Sequence, residues 1–434
     1  MPAAAQVSII AFEHQFVLYS SIENWQDKHA HALEQLQTGQ KGGAGWFTLE
    51  RKGIRFTEHV GVIQLPGIMM EILPKADAFN RVVASSGHEK KVVHDRWRSA
   101  LLGMLRQVLN LPLTVPSDAS LATSPHKMLD VFLAAFVQHA DAVFRAGLVK
   151  HYHTAEGNRP ALKGQLLFGQ HLSQNLLHKE RFFTRHQVYD RVHPLNCLLR
   201  MALQVAADLA YSADVSAHAR TLLLHWPELP RVKVPQERPA LNRKTAHYGP
   251  ALDLALLLLR AQSPSLRQGQ TQALALLFNM NSLFEEYVEI SLRRAATQEG
   301  AVVHPQKEKR FWASINARPD LVVAIHPTLE DPRPARTCIV DMKWKVPIGG
   351  KPTSDDIRQI YAYCHLWGAR HGLLLYPWVS ETQQPRRSAF APSQLLAVDT
   401  VITGQTMFAR VLLPNHTLNT NLGRETLQAL RSLD

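Results

Sequence analysis

Two short strings in the C-terminal third constrain the fold of this chain more than any other feature: Arg318-Pro319-Asp320-Leu321-Val322-Val323 and Cys338-Ile339-Val340-Asp341-Met342-Lys343. Each sets an aspartate at the edge of a run of β-branched and aliphatic residues, which is how a strand reads. The gap between them is rich in proline and charge and reads as a hairpin loop. Leu321 to Ile325 and Thr337 to Val340 are therefore expected as neighbouring strands that bring Asp320 and Asp341 together. Side chains alternate along a strand with period two, so Lys343 and Lys345 are expected on the face that carries Asp341.

The residue types carry a chemical expectation. Two carboxylates a few ångströms apart repel, and both stay ionised at neutral pH mainly when a hard cation lies between them. Mg2+ is such a cation, since it takes oxygen ligands and keeps several waters. Asp320 and Asp341 are thus candidate ligands. Lys343 is placed to hold an attacking water or hydroxide and to offset charge that builds on a phosphoryl group, with Lys345 as a second cation. The pattern is that of an acid, acid and lysine in a metal-dependent nuclease.

Two flanking segments read as helices. In Asn281 to Arg294, Asn281 or Ser282 is a candidate N-cap, and Leu283, Phe284, Tyr287, Val288 and Leu292 form an apolar stripe. Glu285 then has two readings: a capping-box or solvent-facing acid, or a third acidic group that reaches the metal site from a helix packed on the sheet. The second segment, Ser354 to Cys364, opens with Asp355 and Asp356, which suit the positive end of a helix dipole. Gln359 and Tyr363 lie four apart and share a face.

Taken in order, Glu285, the Pro319-Asp320 pair, Asp341-x-Lys343 and Gln359-x-x-x-Tyr363 resemble the PD-(D/E)xK nuclease superfamily in its Gln-x-x-x-Tyr form. A narrower resemblance rests on Leu283-Phe284-Glu285-Glu286-Tyr287-Val288, on the string from Gly61 through Pro66-Gly67 and Glu71 to Lys75, and on Lys163-Gly164-Gln165-Leu166 through Asn175 to Pro194-Leu195-Asn196. These look like the McrC family, nuclease subunits of McrBC-type modification-dependent restriction systems, over about residues 45 to 380. The resemblance implies Mg2+, with Mn2+ as a substitute, held by Asp320, Asp341 and the backbone carbonyl of Met342. It also implies Lys343 and Glu285 as further catalytic groups, with Gln359 and Tyr363 in support. It implies double-stranded DNA as substrate and an McrB-like AAA+ GTPase oligomer as partner, which selects the modified target and whose GTP hydrolysis this chain stimulates. An adaptor of that GTPase whose nuclease site is silent by itself, or a plain DNA-binding module, is the alternative.

Composition fits those partners. The chain has 434 residues, of which 48 are Lys or Arg against 36 Asp or Glu, a formal charge of +12 that favours a polyanion. A hydrophobic share of 46% and an aromatic share of 8% are those of an ordinary globular protein with room for two or three domains. Cys197, Cys338 and Cys364 show neither a disulfide framework nor zinc spacing, so a reducing compartment is expected. No apolar run approaches a membrane span, and Met1 to Gln6 lack the basic start of a secretory signal. Cytoplasm is the expected location.

Along the chain, Trp46 to Glu50, Ile54 to Thr57 and Val60 to Leu65 read as strands, with Pro66-Gly67 as a turn before Ile68 to Leu73. A small antiparallel sheet or barrel is expected there. Val92 to Asn110, Met128 to Ala146, Pro194 to Ala213 and Ala251 to Arg260 read as helices. Pro112 to Pro125 reads as a linker. The basic, proline-rich stretch Pro227 to Pro250 reads as a solvated connector, with DNA or partner contact as the alternative. The expected class is α+β: a β-rich domain over 1–115 and a helical middle region over 116–270 serving partner contact, then an α/β nuclease domain over 271–434 with a mixed central sheet.

Other strings carry less. His29-Ala30-His31 and His151-Tyr152-His153 lack an evident third ligand for zinc. Gly39 to Gly45 is glycine-rich but lacks the Gly-Lys-Ser/Thr ending of a phosphate loop, so no nucleotide is expected to bind this chain. No solenoid repeat and no Gly-x-Ser-x-Gly nucleophile string is present.

Overall fold

The structure is a computed structural model, and it describes residues 7–39, 45–74, 87–111, 113, 128–262, 273–327, 333–378, 385–390, 401–413 and 417–433. Most of the expected linker 112–125 and of the glycine-rich stretch at 40–44 lies outside the described residues. The chain divides into two units that do not follow chain order. One comprises Met1–Leu111, Val115–Met128 and Ala275–Asp434; the other comprises Pro112–Thr114 and Leu129–Leu274. The expected consecutive segments cut across this grouping.

In the first unit, β1 (Val7–Phe12), β2 (Phe16–Leu18), β3 (Phe47–Glu50), β4 (Gly53–Phe56), β5 (His59–Leu65) and β6 (Ile68–Leu73) lie where the strand-like runs fall, with two further strands ahead of them. The β5–β6 hairpin turns at Pro66-Gly67, where Gly67 takes φ 75°, a left-handed conformation that glycine adopts without steric cost. The sheet is not purely antiparallel, as expected, because β1 runs parallel to β6 from Val7↔Ile68 to Phe12↔Leu73. A parallel partner so far upstream leaves no local signal. β2, β4 and β3 form a separate antiparallel sheet.

The second unit holds the helices Met128–Ala146 (all but its first residue), Pro194–Leu209, Ala213–His225 and Gly249–Arg260. The expected helix over 194–213 stops at Leu209 because Ala210 is extended and the Asp130 carboxylate accepts from the backbone N–H groups of Tyr211 (2.9 Å) and Ser212 (3.2 Å). This region is less purely helical than expected. β7 (His151–Arg159), β8 (Gln165–Leu166) and β9 (Phe182–Asp190) form a three-stranded sheet whose β7–β9 ribbon pairs from His151↔Asp190 to Arg159↔Phe182. Residues 227–245 are irregular, as their prolines imply.

The remaining strands return to the first unit. β10 (Leu274–Asn279), which straddles the boundary between the units, joins β5 at the edge of the N-terminal sheet. β11 (Ala301–Pro305), β14 (Leu321–Ile325), β15 (Arg336–Met342), β16 (His371–Pro377), β17 (Arg387–Ala389) and β18 (Thr403–Ala409) form a six-stranded sheet in the order β11-β14-β15-β16-β18-β17. β12 (Lys309–Trp312) and β13 (Ile315–Ala317) make a small hairpin between β11 and β14. The sheet is mixed: β15, β16 and β18 run parallel, while β11, β14 and β17 are antiparallel to their neighbours.

Three joints fix this sheet in its unit. The helix Ser354–Trp367 buries Ile360 and Cys364 against Val322, Ile339, Leu374, Tyr376 and Phe408. The helix Met280–Gln298 meets Leu422–Arg431, where a Cβ on Gly423 would fall 2.0 Å from Ser291 O, so only glycine permits that approach. Trp344 Nε1 donates to Glu13 Oε1 at 2.6 Å, and its ring packs 5.1 Å from Phe284 and edge-on 6.4 Å from Trp97. That last joint ties the end of β1 to the sheet and explains why the first and last parts of the chain share a unit.

Candidate active site

Asp320 lies in the bend that enters β14, and Asp341 is the penultimate residue of β15. The antiparallel register pairs Leu321 with Val340, and one step outward sets Asp320 opposite Asp341. Met342 N donates to Asp320 Oδ2 at 2.6 Å, fixing that carboxylate at the strand edge. Asp341 is 1% exposed. Lys343 is one residue past the strand, but its N–H still donates to Leu375 O at 2.9 Å and so keeps its alignment. Its Nζ stands 2.9 Å from the buried Asp341 Oδ2 and forms an ion pair with it.

The electrostatics follow from this placement. Burial raises the pKa of Asp341, and the neighbouring Asp320 charge raises it further, while Lys343 opposes both. Burial likewise raises Asp320; the Met342 N–H opposes that, and Glu285 adds to it. For Lys343, burial acts downward but the two aspartates outweigh it, so its ammonium is held above the ordinary value. Two acids that resist ionisation, beside a lysine that resists deprotonation, form a site short of positive charge.

Glu285 is brought to this site. The helix Met280–Gln298 is capped by Asn279, whose side chain accepts from Asn281 N and Ser282 N, two residues earlier than expected. Neither Asn281 nor Ser282 is therefore the cap, and Glu285 has no capping duty. It is half-buried, with a pKa raised by desolvation and acted on by Lys343, Asp341 and Arg318.

The helix Ser354–Trp367 carries the expected pair, with Gln359 Nε2 donating to the Tyr363 hydroxyl at 3.0 Å. Burial raises the Tyr363 pKa, Gln359 lowers it, and Asp341, Lys343 and Asp320 act on it as well, so this pair faces the acids. Asp356 does more than suit the helix dipole. With Thr353 it closes a capping box, and it accepts from Lys345 Nζ and from the Tyr376 hydroxyl, each at 2.8 Å. Lys345 is thus committed to Asp356 rather than standing beside Asp341 as a second cation. Those bonds outweigh burial and hold the Asp356 carboxyl below its ordinary value. Sequence reasoning missed Tyr376 altogether, since a tyrosine in the buried run His371–Pro377 gives no sign that its hydroxyl meets an acid.

The other strings resolve simply. His29 is buried, accepts at Nδ1 from Gln26 N and packs against Trp25. His151 lies near His153 and His193, with ring centroids 5.6 and 4.9 Å away. Among the described residues, however, no three His, Cys, Asp or Glu side chains are arranged to hold a metal ion. The donors at Asp320 and Asp341 are fewer than that but suit a hard cation: all are oxygens, and the Asp341 carboxylate is buried. Two carboxylates leave room for the waters and substrate oxygens that Mg2+ retains.

A sequence profile of the McrBC 5-methylcytosine restriction system component family matches residues 54–377. The chain belongs to this family. The matched span contains every residue of the candidate site, from Glu285 to Tyr376. Among solved structures, a chain of the refined half-complex from the tetradecameric assembly of Thermococcus gammatolerans McrB AAA+ hexamers with bound McrC is similar, at 17% identity and a TM-score of 0.68. The match covers 98% of this chain and 100% of that one. A chain of the cryo-EM structure of the Thermococcus gammatolerans McrBC complex gives 17% identity and a TM-score of 0.46, over 66% of this chain and 88% of that one. No curated protein matches. The fold of this McrBC family member is McrC-like, α+β with a six-stranded mixed sheet. Among its described residues, no helix is long and apolar enough to cross a membrane.

Proposed function

We propose that the chain is the nuclease subunit of an McrBC-like restriction complex, hydrolysing phosphodiester bonds of double-stranded DNA at Asp320, Asp341 and Lys343 within a PD-(D/E)xK-type domain. The observation that carries this reading is the buried Asp341 carboxylate set opposite a second carboxylate, Asp320, with the Lys343 ammonium 2.9 Å from its Oδ2. Two buried carboxylates served by one ammonium are costly, and a fold retains them where a ligand completes their charge. Asp320 and Asp341, with the Met342 carbonyl, would hold Mg2+ or Mn2+. Bound there, the ion supplies Lewis acidity toward a phosphoryl oxygen and a bound water of lowered pKa.

This chain's own groups have separate tasks. Lys343 orients the water and offsets the charge that grows on phosphorus as the water oxygen bonds to it and the leaving oxygen departs. Glu285, with its raised pKa, is suited to exchange a proton there. Gln359 and Tyr363, bonded to each other, support the site or meet a neighbouring phosphate.

The likeness to a chain assembled with McrB AAA+ hexamers supports an McrB-like AAA+ GTPase oligomer as the partner, which delivers the DNA and whose GTPase this chain stimulates. The test uses the chain with that partner purified. Asp341→Ala should abolish cleavage while stimulated GTP hydrolysis persists. Cleavage that survives the substitution removes the catalytic assignment, and wild-type complex that stimulates GTPase without cutting in Mg2+ or Mn2+ makes the chain an adaptor.

A further inference from the structure

The hairpin β12–β13 stands beside the candidate site and has no task in it. Its aromatic and aliphatic side chains are turned outward: Phe311 is 57%, Trp312 71% and Ile315 53% exposed. Such residues on one small exposed ribbon mark an interaction surface. Its charge is one-sided, with Lys307, Lys309, Arg310 and Arg318 against a single acid, Glu308, between positions 306 and 318. That acid is occupied, since Asn316 Nδ2 donates to it at 3.0 Å and Arg318 lies 3.9 Å from it.

The hairpin is shaped and anchored. The register slips between Arg310 and Trp312, so Phe311 is the extra residue of a bulge, a device that re-aims side chains. Arg310 Nε donates to Ala313 O at 2.5 Å and closes the tip, where Ala313 takes φ 47°. At the base, Gln306 N donates to Asp320 O at 2.9 Å, so the ribbon rises from the backbone of a candidate metal ligand. On its flank, Lys309 Nζ donates to Leu366 O at 2.9 Å and lies 5.1 Å from the centre of the Trp367 ring. The tip is seven residues from Asp320, a reach of at most ~23 Å, or about seven base-pair steps along a duplex.

We propose that this hairpin is a duplex-DNA grip: Lys307, Arg310 and Arg318 take backbone phosphates beside the scissile one, and Phe311 with Trp312 presses an apolar wedge into the groove. Charge complementarity and continuity with Asp320 select DNA over a protein partner. The inference rests on the nuclease reading of the adjacent acids and adds to it a means of holding the substrate. Wedging aromatic side chains and phosphate-contacting cations commonly act together on bent or partly unstacked duplexes.

The test measures binding of a defined duplex oligonucleotide by the full chain across a salt series, and cleavage by the complex with its partner. The double variant Phe311→Ala/Trp312→Ala should weaken duplex binding about tenfold or more, the range expected for loss of one or two base–aromatic contacts. Lys307→Ala/Arg310→Ala should lower the slope of log affinity against log salt by about 2. Phe311→Ala/Trp312→Ala should keep the wild-type melting temperature, and both variants should keep wild-type Mn2+ binding by calorimetry, which shows that the acids are intact. Unchanged duplex affinity and slope, or no measurable duplex binding by the wild-type chain, overturns the proposal. So does loss of partner binding with duplex affinity unchanged, which assigns the hairpin to a protein interface. Failure of the nuclease reading shows up separately, as cleavage that survives Asp341→Ala while the duplex measurements stand.

Discussion

Glu71 on β6 and Asp341 on β15 are equally hidden, at 2% and 1% exposed, but their surroundings are opposite. Glu71 is saturated: Oε2 accepts from Arg98 Nε at 3.0 Å and Nη2 at 2.6 Å, and Oε1 accepts from Met128 N at 2.6 Å. A planar guanidinium and a backbone N–H are fixed donors, and together they leave that acid nothing to offer a ligand. Asp341 has a single flexible ammonium beside it and a second acid opposite. Burial alone therefore does not mark a functional carboxylate. The completeness of its donors separates an acid that holds the fold from one held in reserve for a cation.

The largest expected effect tests the reserved acid. Asp341→Asn should lower cleavage by the complex at least ~10³-fold, about 4 kcal/mol of transition-state stabilisation. The metal-free chain should meanwhile become more stable at pH 7.5. The sign follows from the raised pKa: the folded state binds this proton more tightly than the unfolded state, so stability falls as pH rises through the window between the ordinary aspartate value and about 6. Asparagine removes that loss at higher pH. Chemical denaturation of the metal-free variant checks it, and a less stable variant at pH 7.5 would remove the contrast with Glu71.

The saturated acid should respond the other way. Glu71→Ala leaves Arg98 with Asp95 alone among the carboxylates it meets here and leaves Met128 N without its acceptor, so it should cost ~3 kcal/mol of stability, the lower end of the range for a broken buried ion pair. Urea denaturation measures this, with and without Mg2+. The loss should be the same in both conditions, because no metal sits there. A cost below about 1 kcal/mol would mean that Asp95, which Arg98 already meets at 2.5 Å, satisfies it without Glu71.

Much of the first acid pair was legible in sequence, and little of what distinguishes it was. Continuous β-branched and aliphatic runs pointed to β14 and β15 as neighbouring strands, because strands buried on both faces read that way. A four-residue spacing set Gln359 and Tyr363 on one helix face, where the structure finds them bonded. Long-range chemistry stayed hidden: Glu13 and Trp344 are 331 positions apart, and no local pattern announces that they meet. β1 was missed for the same reason, as its parallel partner lies beyond a long connection. The β7–β9 ribbon was missed because both its faces carry polar residues, which removes the period-two signal. Asn279 was passed over as a cap because Asn281 and Ser282, chemically as able, follow two and three residues later.

The next effect sharpens what the raised pKa values mean for the ion. Below about 6, protons occupy the sites that Mn2+ must take, so its apparent affinity should fall about tenfold per pH unit for each proton displaced. Above that range the affinity should level off. Calorimetric titration of the metal-free chain at several pH values measures it without reference to cleavage. An affinity that does not change between pH 5 and pH 8, roughly the span over which such acids titrate, would show that Asp320 and Asp341 are not the ligands.

Asp356 offers the finest division, because it stands beside the site yet resembles Glu71. Its oxygens accept from Lys345 Nζ, from Thr353 N at 3.3 Å and from the Tyr376 hydroxyl, so its donors are nearly complete. Its pKa is lowered, the reverse of its neighbour Asp341, so its contribution to stability is present above the unfolded value and lost as pH falls through the folded one. Asp356→Asn keeps an acceptor for Tyr376 but removes the charge that Lys345 pairs with, and Lys345 is partly solvated, which discounts the loss. The cost should be about 1 kcal/mol at pH 7, vanishing toward pH 3, with Mn2+ affinity within about threefold of wild type. If the variant instead loses metal binding as Asp341→Asn does, donor completeness does not separate the two kinds of acid, and Asp356 joins the ligand set. If it behaves like a mild form of Glu71→Ala, the same rule that sorts acids 270 positions apart also sorts two that act on one site.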